Sequence, residues 1–135
     1  RAKMEKKAKD NGVQDRIDFV GWLPDQRAVM ETIKSAKIFV MNSKSEGGPR
    51  VLLEAMGCGM PVIATPVGIV PDVIEFGKNG ILTTGSAQNL GVRIQTLLRD
   101  ENQRKKIGEE ARKVLDQFER SVLIQGYADF LKDLT

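Results

Sequence analysis

The stretch Ser45 to Thr65, "SEGGPRVLLEAMGCGMPVIAT", reads as turn, helix, turn and strand in quick succession. Gly47 and Gly48 let the backbone turn tightly, adopt positive φ and admit a ligand close to the chain. Pro49 suits the first helical position, where its missing N–H costs little. Val51, Leu52, Ala55 and Met56 recur at helical spacing, which predicts a helix from about Pro49 to Cys58. Gly59 and Pro61 stop it. "PVIAT" then has the short, branched, apolar character of a buried strand, and so does "KIFVMNS" just upstream. Two such strands joined through a helix form a βαβ unit, which requires a parallel sheet.

The alternation continues in both directions. "RAKMEKKAKD" at Arg1 to Asp10 predicts a lysine-rich helix ended by Asn11–Gly12. Ile17 to Val20 predicts a short strand. Pro24 and Asp25 open a helix whose stripe is Val29, Met30 and Ile33. Downstream, "PVGIVPDVIEFG" reads as a loop with a short helix and "GILT" as a fourth strand. Helices are predicted from Ser86 to Arg99, from Glu101 to about Arg120, and from Ser121 to Leu134. The segment Asn102 to Lys113 is so charged that it is expected on the surface. The whole predicts one α/β domain over residues 1–135, a parallel sheet flanked by helices, with no internal repeat.

Composition narrows the chemistry. A net charge of +3 is too small to argue for a nucleic-acid partner. The absence of His excludes imidazole catalysis and His metal ligation within these 135 residues. The single cysteine, Cys58, excludes an internal disulfide framework and a multi-cysteine zinc site, and reads as a small buried thiol. It fits a reducing compartment. No apolar run approaches the roughly 20 residues of a membrane span. Lys3, Lys6, Lys7 and Lys9 read as a solvated face, with attraction to anionic lipid as the alternative. Asp72 and Glu75 read as helix-start and surface acids.

In open parallel sheets, ligands bind beyond the carboxyl ends of the strands, where "SEGGP" lies. The backbone N–H groups of Arg50 and Val51 would be unpaired donors at the positive end of a helix, an arrangement that favours phosphate. The Arg50 side chain can add charge. Glu54, one turn further in, flanks the apolar face and can accept two hydrogen bonds from a vicinal diol such as ribose. Glu46 precedes the glycines and can reach the group beyond the phosphates. Ribose, phosphate and a hydroxyl-rich group in that order describe a nucleotide sugar. Plainer readings stand beside this one: Glu46 as a solvated loop acid, Glu54 as a surface residue paired with Arg50, and the glycines as a turn feeding a helix.

These residues carry a family likeness. "SEGGPRVLLEAMGCGMPVIATPVG" resembles the signature of retaining glycosyltransferase family 4: a Glu, seven intervening residues, a second Glu followed by Ala-Met, then Gly-x-Pro-Val. Glu46 and Glu54 have that spacing, and Ala55, Met56, Gly59, Pro61 and Val62 match the flanks. "RIDFVGWLP", "GIVPDVIEFGKNGILT" and "RKKIGEEARKVLDQF" resemble further segments of the family. The resemblance implies the C-terminal, donor-binding domain of a GT-B enzyme, two Rossmann-like domains facing across a cleft. It implies transfer of a sugar from a nucleotide-sugar donor with retention at the anomeric carbon, by a front-face displacement that relies on positioning and charge stabilisation. It implies no metal ion and no cofactor. Glu46 would contact the transferred sugar as the catalytic residue, amides near Gly47 and Gly48 its hydroxyls, and those of Arg50 and Val51 the diphosphate. Glu54 would hold the ribose, and the backbone around Trp22 and Leu23 would line the base. Trp22 is otherwise a core residue. Many members carry Phe-Gly where this chain has Gly48-Pro49, and Pro49 offers no N–H.

The chain starts at Arg1 in a helical pattern, and the resemblance implies an N-terminal truncation. Two strands, an Arg and a Lys that clamp phosphates, and the acceptor domain would precede it. The acceptor, a glycan, a lipid-linked sugar or a small molecule, would bind that domain, and this chain alone is expected to be inactive. A sheet without its first strand would expose edges and favour self-association. The expected location is the cytoplasm, with peripheral contact at the inner face of the membrane as an extension. From another class, the same fold accommodates a non-catalytic nucleotide or sugar-phosphate binding module, or an assembly domain that keeps only the scaffold.

Overall fold

The computed structural model describes residues 1–118. The predicted helix at Ser121 to Leu134 lies outside the described residues. Three short parallel strands form the sheet, in the order β1 (Phe39–Met41), β2 (Val62–Ala64), β3 (Ile81–Leu82). Val40 lies opposite Ile63, and Ile63 opposite Ile81. Six helices surround them: α1 (Ala2–Asp10), α2 (Gln26–Ser35), α3 (Arg50–Gly57), α4 (Val70–Val73), α5 (Ala87–Arg99) and α6 (Glu101–Lys113). A 3₁₀ turn, Val114–Phe118, continues α6.

The layering follows from the two-residue period of β2, which sends alternate side chains to opposite faces. Val62 and Ala64 pack with Ile33 of α2, Leu52 and Met56 of α3 and Val70 of α4. Ile63 packs on the other face with Ile81, Leu97 of α5 and Ile107 of α6. All three β2 residues are fully buried, as expected of a parallel strand covered on both sides. Burying a side chain such as Leu52 or Ile63 stabilises the fold by about 1.5–3 kcal/mol.

The helix boundaries have identifiable causes. The carboxylate of Asp25 accepts a hydrogen bond from the Ala28 amide at 2.8 Å and starts α2. Ser86 and Asp100 cap α5 and α6 in the same way. Gly59, at φ +72°, turns the chain away from α3.

Three expectations are corrected. Ile17 to Val20 is not a strand. Ile17 is extended (φ −129°, ψ 120°), but no strand among the described residues pairs with the segment, and both Ile17 and Val20 are exposed. Extended residues become a strand only when a partner takes their N–H and C=O groups. The segment Asn102 to Lys113 is not a surface helix throughout: Ile107, Gly108 and Ala111 are buried. This narrow stripe suffices because two of its three residues are small. A Cβ on Gly108 would strike the Gly59 carbonyl oxygen, so α6 lies against the turn that ends α3. Val51, expected on the apolar face of α3, is exposed, whereas Leu52, Ala55 and Met56 are buried.

Candidate functional site at the carboxyl edge of the sheet

Three loops leave the carboxyl ends of β1, β2 and β3 side by side. Asn42, Ser43, Lys44, Thr65, Thr84 and Gly85 line an open cavity of about 320 Å³ between them. Thr65 donates its hydroxyl to the Ser43 carbonyl at 2.6 Å, and the Asn42 carboxamide donates to the Gly85 carbonyl at 3.3 Å. These bonds tie the loop after β1 to the loops after β2 and β3. Gly68, at φ +56°, lies directly against the carbonyl oxygens of Glu46 and Gly47.

The loop after β1 ends at Pro49, which is buried and serves as the N-cap of α3 rather than its first residue. No side chain caps this helix. The Leu52 amide bonds the Pro49 carbonyl at 3.0 Å, whereas those of Arg50 and Val51 have no partner among the described residues. Two donors are thus left at the positive end of the helix. Gly47 and Gly48 are exposed, and the space beside each is open to 4 Å. Neither adopts positive φ, contrary to expectation; that conformation belongs to Gly68 across the gap. The pair's contribution is therefore clearance, not an unusual turn.

Glu46 is exposed, and its carboxylate accepts the Ser43 hydroxyl at 2.8 Å. Glu54 is more sheltered, with 18% of its side chain exposed. Its Oε1 accepts from Arg50 Nε and from Gln26 Nε2, each at 2.8 Å. The plain pairing of Glu54 with Arg50 therefore exists, alongside a second partner from α2 that lies 28 positions away in sequence. Arg50 is 81% exposed on its side chain. Met30, Lys34, Leu53 and Cys58 join Arg50 and Glu54 around a groove of about 360 Å³ between α2 and α3. Cys58 is half-buried in the wall of that groove.

Trp22 is fully exposed, which removes it from the core. Leu23 is half-buried. Both lie just ahead of the Asp25 cap, so the segment that carries them leads directly into Gln26 and its contact with Glu54. Gln26 is the site residue that sequence reading missed. Its neighbour Asp25 announces the start of a helix, but nothing in the sequence aims that helix at α3. Among the described residues no three His, Cys, Asp or Glu side chains cluster as a metal site, and no helix is long and apolar enough to cross a membrane.

Residues 1–114 match the family model for glycosyl transferases group 1. N-acetyl-alpha-D-glucosaminyl L-malate synthase of Bacillus anthracis is 34% identical over 124 residues, which cover 90% of this chain and 32% of that protein. Sulfoquinovosyl transferase SQD2 of Arabidopsis thaliana is 38% identical over 75% of this chain and 20% of its own length. Among solved structures, Anabaena HepE in complex with UDP superposes with a TM-score of 0.85 at 28% identity, over 98% of this chain and 36% of that one. HepE is also solved in complex with UDP-glucose. The chain thus spans about a third or less of the length of these relatives.

Proposed function

Because the chain belongs to the glycosyl transferases group 1 family, we propose that it is the donor-binding part of a retaining, family 4 enzyme of GT-B architecture. It binds a nucleotide sugar and presents the sugar for transfer to an acceptor held elsewhere in the protein. One observation carries this reading: two amides without a partner among the described residues, at Arg50 and Val51, stand one turn from the sheltered carboxylate of Glu54, beside an open glycine pair.

In this reading the diphosphate sits on the α3 N-terminus, where helix dipole and free N–H groups act together. Glu54 accepts from the ribose, and the Trp22–Leu23 segment borders the base. Glu46, steadied by Ser43, faces the transferred sugar as the catalytic residue. The bond between the anomeric carbon and the leaving phosphate breaks while the acceptor hydroxyl attacks from the same face, and the departing phosphate takes the hydroxyl proton. The side chains position the donor and the helix end stabilises the charge that develops on the leaving group. Neither metal nor cofactor enters this scheme. The UDP and UDP-glucose complexes of HepE support a nucleotide-sugar donor. The acceptor is a glycan, lipid-linked sugar or small molecule, and the reaction is cytoplasmic, with the exposed lysines of α1 available to an anionic membrane face.

Calorimetric titration of the intact protein with UDP, GDP and ADP tests the reading. One nucleotide should bind, and Glu54→Gln should weaken it about ten- to hundredfold, the value of a charged hydrogen bond. Failure of all three to bind, or unchanged affinity in Glu54→Gln, would refute it.

A further inference from the structure

The two oxygens of Glu54 are in different situations. Oε1 accepts from both Gln26 and Arg50 at 2.8 Å, which fills its two acceptor positions. Oε2 has no hydrogen-bond partner among the described residues. With Oε1 filled, the carboxylate can take the two hydroxyls of a diol one on each oxygen only if Arg50 or Gln26 lets go; otherwise both hydroxyls must share Oε2. A second acceptor, however, lies next to it. An ionised carboxylate only accepts, so the Gln26 nitrogen must face Glu54, which fixes which end of the carboxamide is oxygen. The Gln26 carbonyl oxygen is bonded to the same carbon as that nitrogen, so it lies no further than one amide group beyond the hydrogen bond to the carboxylate. It too has no partner among the described residues. Gln26 is held in place at the first turn of α2, directly after the Asp25 cap.

We propose that Gln26 is a specificity-determining residue, and that the ribose diol is read by two side chains, Glu54 through Oε2 and Gln26 through its carbonyl oxygen. Each hydroxyl then has its own acceptor, and the Gln26–Glu54 hydrogen bond sets the spacing between them. The proposal rests on the donor-site reading above and adds a residue that the Glu-x₇-Glu spacing does not contain. It also gives α2 a part in recognition, through a side chain set three residues after Leu23.

The test compares the intact wild-type protein with its Gln26→Met and Glu54→Gln variants. UDP, GDP and ADP are titrated in turn, each beside its 2′-deoxy and 3′-deoxy forms. Wild type should lose about tenfold in affinity for each missing hydroxyl. In Gln26→Met, affinity for the parent nucleotide should fall about tenfold, and one of the two deoxy forms should bind as tightly as the parent. Discrimination at the other hydroxyl should persist. If Gln26 merely ties α2 to α3, the variant will weaken all three ligands by the same factor or none, with both ratios preserved, and the proposal is overturned while the site stands. If wild type binds no nucleotide, the donor-site reading falls and this proposal with it.

Discussion

Gly68 in the loop after β2 lies directly against the carbonyl oxygen of Glu46 in the loop after β1. The two loops are packed backbone to backbone, and Gly68 does so at φ +56°, where an L side chain is strained regardless of space. Gly68→Ala is therefore expected to destabilise the protein by about 1–3 kcal/mol. It should also weaken nucleotide binding more than its stability loss explains, because the displaced segment is Glu46–Gly47. Thermal melts and calorimetry on the same sample separate the two effects. Unchanged stability and affinity would mean that the loops are not in contact.

Two helical glycines should respond in opposite directions. Gly108 in α6 faces the Gly59 carbonyl, with no room for a Cβ, whereas nothing lies within 4 Å of the corresponding position at Gly91 in α5. Gly108→Ala should push α6 off α3 and cost about 1–3 kcal/mol. Gly91→Ala should stabilise by about 0.5–1 kcal/mol through helix propensity. Denaturant unfolding measures both.

The Arg50–Glu54 pair should matter more for ligand than for fold. The Arg50 side chain is 81% exposed, so solvent screens most of the attraction. Arg50→Met is expected to change stability by no more than about 1 kcal/mol, while nucleotide affinity falls with the loss of a cation beside the phosphate site. A large loss of stability with intact binding would show the pair to be structural.

Acid sensitivity has two identifiable contributors on α6. The hydrogen bond from Lys105, then its charge and that of Arg104, holds Glu101 below the ordinary carboxylate range. The hydrogen bond from Lys113 does the same for Glu110, against an opposing effect of burial. Both folded-state values lie below the unfolded ones. Their contribution is therefore present above the unfolded carboxylate range and is lost as pH falls through the folded values. Glu101 is exposed and Glu110 only partly covered, so the effect is small and salt-sensitive. Between about pH 6 and about pH 3, the melting temperature of a Glu101→Gln, Glu110→Gln variant should fall less than that of wild type, and added salt should narrow the difference.

Much of the fold was legible because glycine, proline and short polar caps punctuate the chain where backbone geometry demands it. Asp25, Ser86 and Gly59 mark helix ends by local chemistry alone. What depends on a distant partner was not legible. Ile17 to Val20 has a strand's composition, but pairing is a tertiary property. The burial of α6 rests on Ile107 and two small residues, Gly108 and Ala111, too thin an apolar stripe to stand out in a charged helix. At the site, the positions of the free amides and of the open glycines followed from the sequence. The positive φ expected at Gly47 and Gly48 did not appear, because Gly68 supplies the close approach from the opposite loop. Gln26 was invisible because nothing at its own position announces a contact 28 residues away.

If the α3 N-terminus and Glu54 form a nucleotide-sugar site, nucleotide must touch both. Amide NMR of the isotopically labelled protein, titrated with UDP and then UDP-glucose, tests it most directly. The first shifts should fall on the amides of Gly47, Gly48, Arg50 and Val51, with Gln26 and Glu54 following. Moving from UDP to UDP-glucose should extend the shifts to Glu46. Shifts confined to another face of the molecule, or a well-dispersed spectrum in which the Arg50 and Val51 amides ignore every nucleotide, would contradict it.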